Sequence, residues 1–393
     1  MQLSIIILNY NVRYFLELCV LSVQNAIQNI DAEIIVIDNH SQDYSCEMMK
    51  QRFPNVKLIE NKENTGFPKG NNIGVNEAKG DYICILNPDT VVAEDTFTKV
   101  LAFAKKQNDI GIIGCKLIDG TGNFLPESKR GTPTPFVAFT KITGLYKIFP
   151  KTFGKYYAQH LSENESGKVE ILVGAFMLMK RELYNEIGGF DENCFMYSDD
   201  IDLSYMCLKK GKSNYYFHET SVIHYKGEST IKDGIYMKRN QQAMNFFFKK
   251  HFRVSFFFTI FMKMGIVFFS LVKMFQGKPQ PKSNPDNYIL VSNDEILREK
   301  LENQLGKTVE IQDAKFSFLK SSTITEIVFD QNQLDFKTII NALEANKNKG
   351  FTFKILPKSS HFILGSNSSF DRGEVVEISD FYTFKNYQLT AKN

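Results

Sequence analysis

The residues Asn87, Pro88 and Asp89 directly follow an apolar run, Ile83 to Leu86, that predicts a buried strand. Asn, Pro and Asp are common turn formers, so a plain turn is one interpretation of this stretch. A metal ligand is the other interpretation, because ligands of open α/β sheets bind beyond the carboxyl ends of the strands. One aspartate cannot decide between the two, and the decision depends on the other polar residues of the chain.

Three acids, Asp199, Asp200 and Asp202, crowd the first turn of a helix predicted over residues 198–211. Ser198 is expected to cap this helix, and Gly211 to end it. Acids near a helix N-terminus are stabilised by about 0.3–1 kcal/mol each. One or two acids would satisfy the helix dipole, and mutual repulsion penalises three. Helix stabilisation therefore does not account for the whole set.

The elements that must position these residues alternate between strand and helix. Strands are predicted at 3–9, 33–38, 56–61, 81–87 and 110–118, and helices at 13–27, 42–53 and 94–107. Apolar strands with helices between them predict an α/β fold with a parallel sheet buried on both faces. The polar residues after the strands should then gather along one edge of that sheet. Before Asp89 in the chain, these residues are Asn9, Asn11, Asp38, Asn39, the glycine-rich stretch 64–74 and Asn87.

Composition excludes several classes of protein. The chain has 393 residues, enough for two or three domains, and its formal net charge of +3 is too small to predict nucleic-acid binding. Six scattered cysteines form no C-x-x-C pair, which disfavours a zinc site and a disulfide framework and suits a reducing compartment. No signal peptide is predicted. The glycine-rich stretch 64–74 is interpreted as a loop, but it is not G-x-G-x-x-G and lacks a Walker lysine, which disfavours a dinucleotide or P-loop site.

The segment from Gly234 to Pro285 contains no acidic residue and nine basic ones, interleaved with Phe triplets. Residues 254–272 are apolar enough to suggest a membrane span, but Lys263 at the centre would cost about 2.5–3.5 kcal/mol. We therefore predict an in-plane helical arm at an anionic membrane surface. The alternative is an arm that packs against the catalytic domain or against a partner protomer, which leaves a homodimer open.

After a linker at 279–285, strand and helix patterns resume and predict a separate small α/β domain of unknown role. The predicted organisation is a catalytic domain over 1–235, a basic, Phe-rich, membrane-associating segment over 236–282, and the small α/β domain over 283–393.

The ordered motifs of residues 3 to 230 resemble the family 2 inverting glycosyltransferases of GT-A fold, especially bacterial rhamnosyltransferase-like members. The resemblance lies in 9-NYN-11, 36-VIDNHSQD-43, 64-NTGFPKGNN-72, 86-LNPDT-90, 173-VGAFMLMKRELYNEIGGFDE-192, 197-YSDDIDLSYM-206 and 224-HYKGEST-230. It implies transfer of a sugar, rhamnose among the candidates, from a nucleotide-diphosphate donor to an acceptor hydroxyl. A glycan or lipid-linked saccharide is the expected acceptor, and cell-surface polysaccharide synthesis is the expected process. The expected location is the cytoplasm, peripheral at the inner face of the cell membrane.

The resemblance also implies roles for single residues. Asp200 is the expected general base, with Asp199 as the second candidate. Asp89 is the expected ligand of Mg²⁺ or Mn²⁺, and His224, in an H-x-x-G-x-S pattern, is a candidate second ligand. Asp38 and Asn39 match positions that contact the base and ribose of the nucleotide. The remaining expected contacts to the donor are Asn9, Asn11, Gly66, Asn71 and Asn87.

Two other functions stay open at this stage. Nucleotidyl transfer to a sugar phosphate would need a basic, glycine-rich signature after the first strand, which 9-NYNVR-13 does not supply. A non-catalytic sugar-nucleotide-binding or scaffold subunit of a membrane-associated glycan assembly would use the basic arm and the second domain.

Overall fold

The computed structural model describes residues 1–134, 137, 154–226, 234–252, 284–313, 323–367 and 373–378. The helices of these ranges are α1 Arg13–Ala26, α2 Ser45–Arg52, α3 Gly66–Asn76, α4 Thr96–Lys105, α5 Arg181–Glu186, α6 Asp199–Lys209, α7 Gly234–His251, α8 Glu295–Leu305 and α9 Phe336–Asn346. The strands of the first sheet are β1 Leu3–Asn9, β2 Ala32–Asp38, β3 Lys57–Glu60, β4 Tyr82–Leu86, β5 Thr90–Val91, β6 Ile110–Ile118, β7 Gly167–Val169, β8 Phe176–Lys180 and β9 Ser213–His224. The strands of the second sheet are β10 Asn287–Val291, β11 Val309–Gln312, β12 Thr325–Asp330, β13 Phe351–Leu356, β14 Phe362–Gly365 and β15 Glu374–Glu377.

The first sheet has the order β3-β2-β1-β4-β8-β6-β9-β5, and β7 pairs with β9. Strands β1 to β4 are parallel, as predicted, and the predicted α/β class is confirmed. The five strands predicted for this sheet, β1 to β4 and β6, run in the same direction, but the sheet as a whole is mixed, because β8 lies between β4 and β6 and is antiparallel to both. The strand–helix alternation that predicts parallel neighbours ends at β6, and β5, β7 and β8 are each antiparallel to a neighbour.

Most of the glycine-rich stretch 64–74, interpreted from the sequence as a loop, instead lies in helix α3. Gly70 and Gly74 are spaced by four residues and therefore lie on the same helix face. A Cβ atom at Gly70 would lie 2.4 Å from the Leu8 side chain, and one at Gly74 would lie 2.4 Å from the Ile37 side chain. The glycines allow α3 to pack closely on β1 and β2, and this packing compensates for their low helix propensity.

The second sheet has the order β11-β10-β12-β13-β14-β15, with β10 to β13 parallel and β14 and β15 antiparallel to their neighbours. One of its faces packs on α9, and the same buried apolar cluster includes residues of β5, β6 and β9 of the first sheet. The described residues therefore contain a second α/β unit in contact with the first. The domain boundaries at 235, 282 and 393 stay predictions.

The described part of the basic arm is helix α7. Its Phe247 and Phe248 lie in a small apolar cluster with Ile201 and Tyr205 of α6. The start of the arm therefore packs on the first unit. None of the helices in the described ranges has the length and apolar character needed to cross a bilayer. Residues 254–272 lie outside those ranges, and the contact expected of them with a membrane stays a prediction.

Candidate active site

The predicted site residues meet because of the strand directions. Strands β1, β2, β4 and β9 all end at the same edge of the first sheet, and β5 and β8 both begin there. The side chains that this edge carries are Asn9, Asp38, Asn87, Asp89 and His224, and Gly174 and Ala175 precede β8 at the same edge. The sequence-based expectation that the polar strand ends converge is therefore met for these residues.

Asp89 and His224 face each other at this edge. The Asp89 Oδ1 atom lies 3.4 Å from His224 Nε2, and both side chains are buried. Asn87 Nδ2 also lies 3.4 Å from His224 Nε2. The neighbours Gly227 to Ser229 of the H-x-x-G-x-S pattern lie outside the described residues. Asp89, His224 and Asn87 thus form one group of potential oxygen and nitrogen ligands.

Buried polar atoms without partners concentrate in this region. Among the described residues, the buried side-chain atoms that lack a hydrogen-bond partner include Asn9 Oδ1, Asn71 Oδ1, Asn87 Oδ1, Asp199 Oδ1 and His224 Nδ1. All five belong to residues that the sequence predicted for the site. An unsatisfied buried acceptor costs about 1–3 kcal/mol, so such a concentration is typical of a site that a ligand completes.

The side chains near Asp89 fit a hard divalent cation that takes some of its ligands from the protein and the others from a substrate. No group of three His, Cys, Asp or Glu side chains suitable for a metal exists within the described ranges. Mg²⁺ in proteins commonly uses one or two carboxylates and completes its shell with water and substrate phosphates. The Asp89 carboxylate, the His224 ring and the unpartnered Asn87 Oδ1 are compatible with such a shared site, and also with Mn²⁺.

Asn9 and Asp38 form a buried polar network at the ends of β1 and β2. Asn9 Nδ2 donates to Asp38 Oδ1 at 2.8 Å and to Ser41 Oγ at 3.1 Å, and Asp38 Oδ2 accepts from the Ser41 backbone N at 2.8 Å. Asn11 is in the left-handed region with a φ of 54°, and its Oδ1 accepts from the Gln42 backbone N at 2.7 Å. These contacts fix the turn after β2 next to the end of β1.

The amide of Asn39 is used inside the protein. Its Nδ2 donates to Asn64 Oδ1 at 3.0 Å, and its Oδ1 accepts from the Thr65 backbone N at 3.1 Å. Asn39 thereby holds the segment that leads into α3, whereas the resemblance implied a contact with the nucleotide. Asn71 is fully buried within α3 and donates to the Phe67 carbonyl at 2.9 Å.

Gly66, at the start of α3, lies against the backbone of the loop before α6. Its φ is +81°, and a Cβ atom there would lie 2.9 Å from the Phe195 carbonyl oxygen. The Phe67 backbone N donates to that same carbonyl at 3.1 Å. The role of Gly66 visible in the structure is therefore this close backbone approach, which a side chain would prevent.

Helix α6 begins at Asp199, but the predicted side-chain cap by Ser198 is wrong. Ser198 makes no capping bond, and its Oγ lies 3.1 Å from Cys194 Sγ. The carboxylate of Asp200 instead binds a backbone N–H of the first turn, since its Oδ1 accepts from the Ile201 backbone N at 2.7 Å. Its Oδ2 accepts from the Gly174 backbone N at 3.1 Å. Asp200 thereby links α6 to the segment that enters β8 at the shared edge.

Asp199 lies beside Asp200 in a different environment. The pKa of Asp199 is raised from 3.8 to about 7, mainly by burial and secondly by the negative charge of Asp200. Its Oδ1 has no partner, and its Oδ2 lies 3.8 Å from where a Cβ of Gly174 would be. Asp199 can therefore take up a proton near neutral pH.

Asp202, the third acid, pairs with helix α7 instead. Its Oδ2 lies 2.8 Å from Lys250 Nζ, and its Oδ1 lies 2.5 Å from His251 Nε2. The crowding of acids that the sequence showed thus has two causes: two carboxylates face the sheet edge, and one anchors the basic arm.

Arg130 is a site residue that sequence reasoning missed. Its Nη2 donates to Asp200 Oδ2 at 2.6 Å and to the Leu172 carbonyl at 2.8 Å. Arg130 and Asp200 are separated by 70 residues in the chain, and no local pattern marks a loop arginine as the partner of a distant acid. Both side chains are largely buried.

The Arg130→Met variant should lose about 3–5 kcal/mol of stability, because it leaves the buried Asp200 carboxylate without its counter-charge. Urea unfolding of this variant and of wild type measures the difference. Arg130→Lys, which keeps the charge but not the planar guanidinium, should lose less. A loss below about 1 kcal/mol in Arg130→Met would show that the ion pair does not hold Asp200.

The chain is similar in sequence and in fold to known proteins. The model of glycosyl transferase family 2 matches residues 4–188. An N-acetylglucosaminyl-diphospho-decaprenol L-rhamnosyltransferase of Mycobacterium tuberculosis is 26% identical over 212 residues, 51% of this chain and 68% of the relative. A low-salt glycan biosynthesis hexosyltransferase of Haloferax volcanii is 26% identical over 213 residues, 53% of this chain and 62% of the relative. A solved mannosyltransferase from Pyrobaculum calidifontis is 19% identical at a TM-score of 0.46, and the match covers 65% of each chain.

Proposed function

We propose that this chain, whose residues 4–188 match the model of glycosyl transferase family 2, is an inverting glycosyltransferase of glycan biosynthesis. It would transfer a sugar from a nucleotide-diphosphate donor to an acceptor hydroxyl. The observation that carries the proposal is the meeting of two polar groups at one sheet edge. Asp89 and His224 form the first group, and Asp199 and Asp200 form the second. The two groups are linked through the backbone: the Asn87 N, two residues before Asp89, donates to the Ala175 carbonyl at 3.0 Å, and the N of the preceding Gly174 donates to Asp200 at 3.1 Å.

The donor end of the proposed site is the edge around Asp89. Asp89 and His224, with the free amide oxygen of Asn87, would hold the cation, Mg²⁺ or Mn²⁺. When bound, the cation neutralises charge that develops on the departing diphosphate. Asn9, Asp38 and Asn71 are the proposed nucleotide contacts, because two of them have a buried acceptor atom without a partner.

The acceptor end of the proposed site is the acid pair. The acceptor oxygen attacks the anomeric carbon, the bond from that carbon to the diphosphate breaks, and the hydroxyl proton passes to a carboxylate. The contacts favour Asp199 as the proton acceptor over Asp200, the residue assigned from the sequence. Asp200 already accepts from Arg130, Gly174 and Ile201, whereas Asp199 has an unpartnered oxygen. In this proposal Asp200 and Arg130 position the pair.

We further propose rhamnose as the donor sugar and a lipid-linked saccharide as the acceptor. Support comes from the mycobacterial relative, whose name states both a rhamnosyl transfer and a decaprenol diphosphate acceptor. The basic, Phe-rich segment after α7 fits this acceptor, since it would place the enzyme peripherally at the anionic cytoplasmic face of the membrane.

The proposal is tested by incubating the purified protein with a panel of nucleotide sugars, dTDP-rhamnose and UDP-hexoses among them, with and without Mn²⁺. We expect release of nucleoside diphosphate that depends on the cation and is faster with a lipid-linked acceptor, and a product whose anomeric configuration is inverted by NMR. Release of pyrophosphate would instead indicate nucleotidyl transfer. Tight nucleotide binding without turnover of any sugar would indicate a non-catalytic subunit.

A further inference from the structure

The segment that follows Asp89 is held by the second α/β unit. The Glu94 carboxylate accepts two hydrogen bonds from the first turn of α9, one from the Phe336 backbone N at 2.8 Å and one from the Lys337 backbone N at 2.9 Å. Each bond uses a different carboxylate oxygen. Lys337 Nζ also lies 2.7 Å from the carboxylate of Asp95. A side chain of the first unit thus caps a helix of the second, a placement that the helix dipole favours.

Helix α9 also contacts the strand that carries His224. Ser221 Oγ of β9 donates to Glu344 Oε2 at 2.7 Å. Lys116 of the adjacent β6 lies 2.9 Å from the other oxygen of Glu344. Between these polar contacts, apolar residues of both units share one buried cluster, which includes Val91, Ile223 and Tyr225 on one side and Ile339, Ile340 and Leu343 on the other.

The strand that needs this support is very short. β5 consists of Thr90 and Val91 only, and it pairs with β9 through Thr90–His224 and Val91–Ile223. Two residue pairs at a sheet edge are marginal without other contacts. Asp89 immediately precedes β5 and His224 ends β9, so the alignment of these two strands sets the separation of the proposed metal ligands.

We propose that the C-terminal α/β unit is a positioning element of the metal site, in which Glu94 and α9 hold β5 in register against β9. This gives the second unit a role in the reaction through its contacts with the first unit. The expected effect on cation affinity rests on the proposed function, whereas the contact between Glu94 and α9 does not. Glu94 is a positioning residue, since its carboxylate binds the first turn of α9 and would act on Asp89 and His224 only through β5.

The test uses Glu94→Gln in the full chain. Gln has nearly the same shape, but one acceptor oxygen is replaced by an NH₂ group that opposes a backbone N–H of α9. We expect Mn²⁺ alone to bind about tenfold more weakly than to wild type, measured from the electron paramagnetic resonance signal of free Mn²⁺. In metal-free protein, amide hydrogen exchange should be faster in peptides that cover 87–95 and 221–226 and unchanged in peptides from β1 and β2.

The matched control is Glu299→Gln, which removes an exposed charge from α8 of the same unit and should leave both measurements unchanged. Wild-type Mn²⁺ affinity and wild-type exchange in Glu94→Gln would overturn the inference. If Glu94→Gln does not fold, Glu344→Gln weakens the same support from the β9 side and is judged by the same two outcomes. If wild type binds no Mn²⁺ and transfers no sugar, the proposed function fails, and the exchange measurement still decides whether α9 holds β5.

Discussion

Replacing Asp199 with Asn should reduce sugar transfer by about a thousandfold, because the acceptor hydroxyl then loses its proton acceptor. Asn has the same shape and cannot take up the proton, so donor binding should be nearly unchanged. The measurement is kcat and KM for the nucleotide sugar, with folding checked by circular dichroism. If Asp200 is the base, as the sequence assigned it, Asp200→Asn will lose activity by this factor and Asp199→Asn will retain most of it.

The pH profile tests the role of Asp199 independently of mutation. Burial and the neighbouring charge of Asp200 raise the pKa of Asp199 to about 7, with Arg130 acting in the opposite direction. A base must be deprotonated to work, so kcat/KM of wild type should rise with pH and reach half of its plateau near pH 7. Activity that is already maximal at pH 5 would exclude Asp199 as the base.

Stability should change in the opposite sense to activity in Asp199→Asn. The folded state raises the pKa of Asp199 above the ordinary 3.8, so its stabilising contribution is fully present below pH 3.8 and is lost as pH rises through about 7. Above pH 7 the buried charge opposes folding, and Asn does not carry it. The variant should therefore be more stable than wild type at pH 8, by roughly 1–3 kcal/mol in urea unfolding. A gain that is equally large at pH 4 would contradict this origin.

The sheet edge could be predicted from sequence because it depends on strand direction alone. Strands that run parallel place their carboxyl ends together whatever their order, so Asn9, Asp38 and Asn87 were found from apolar runs and the polar residues that follow them. His224 follows the same rule, because β9 runs parallel to β6. What the rule does not give is the order of strands, and β8 enters between β4 and β6 in the opposite direction.

The contacts that distinguish the acids from one another could not be predicted. Arg130 reaches Asp200 from a loop 70 residues away, and Asp202 pairs with Lys250 and His251 of a helix that composition alone marked as a membrane arm. The spacing of residues along the sequence predicts which of them share a helix face, but it does not predict which distant side chain contacts that face. The same limit explains α3, whose glycines indicate a loop until the close packing on Leu8 and Ile37 is known.

Asp89→Asn should abolish cation binding and lower sugar transfer by about a thousandfold. Asp89 supplies the one negatively charged ligand in the group that Asn87, Asp89 and His224 form, and neutral ligands alone hold Mg²⁺ or Mn²⁺ poorly. Without the cation, charge on the leaving diphosphate is no longer neutralised. Free Mn²⁺ in an electron paramagnetic resonance titration reports binding, and release of nucleoside diphosphate reports transfer.

Asn87→Asp is the matched variant, since it adds a second carboxylate beside the same His224 Nε2 atom, from which Asn87 Nδ2 and Asp89 Oδ1 each lie 3.4 Å. It should bind Mn²⁺ more tightly than wild type, because a second charged oxygen ligand replaces a neutral amide. The pair of variants separates a metal site from a plain turn. A turn residue would tolerate Asp89→Asn with little effect on Mn²⁺ binding or turnover, and Asn87→Asp would then gain no affinity, because no cation would lie between residues 87, 89 and 224.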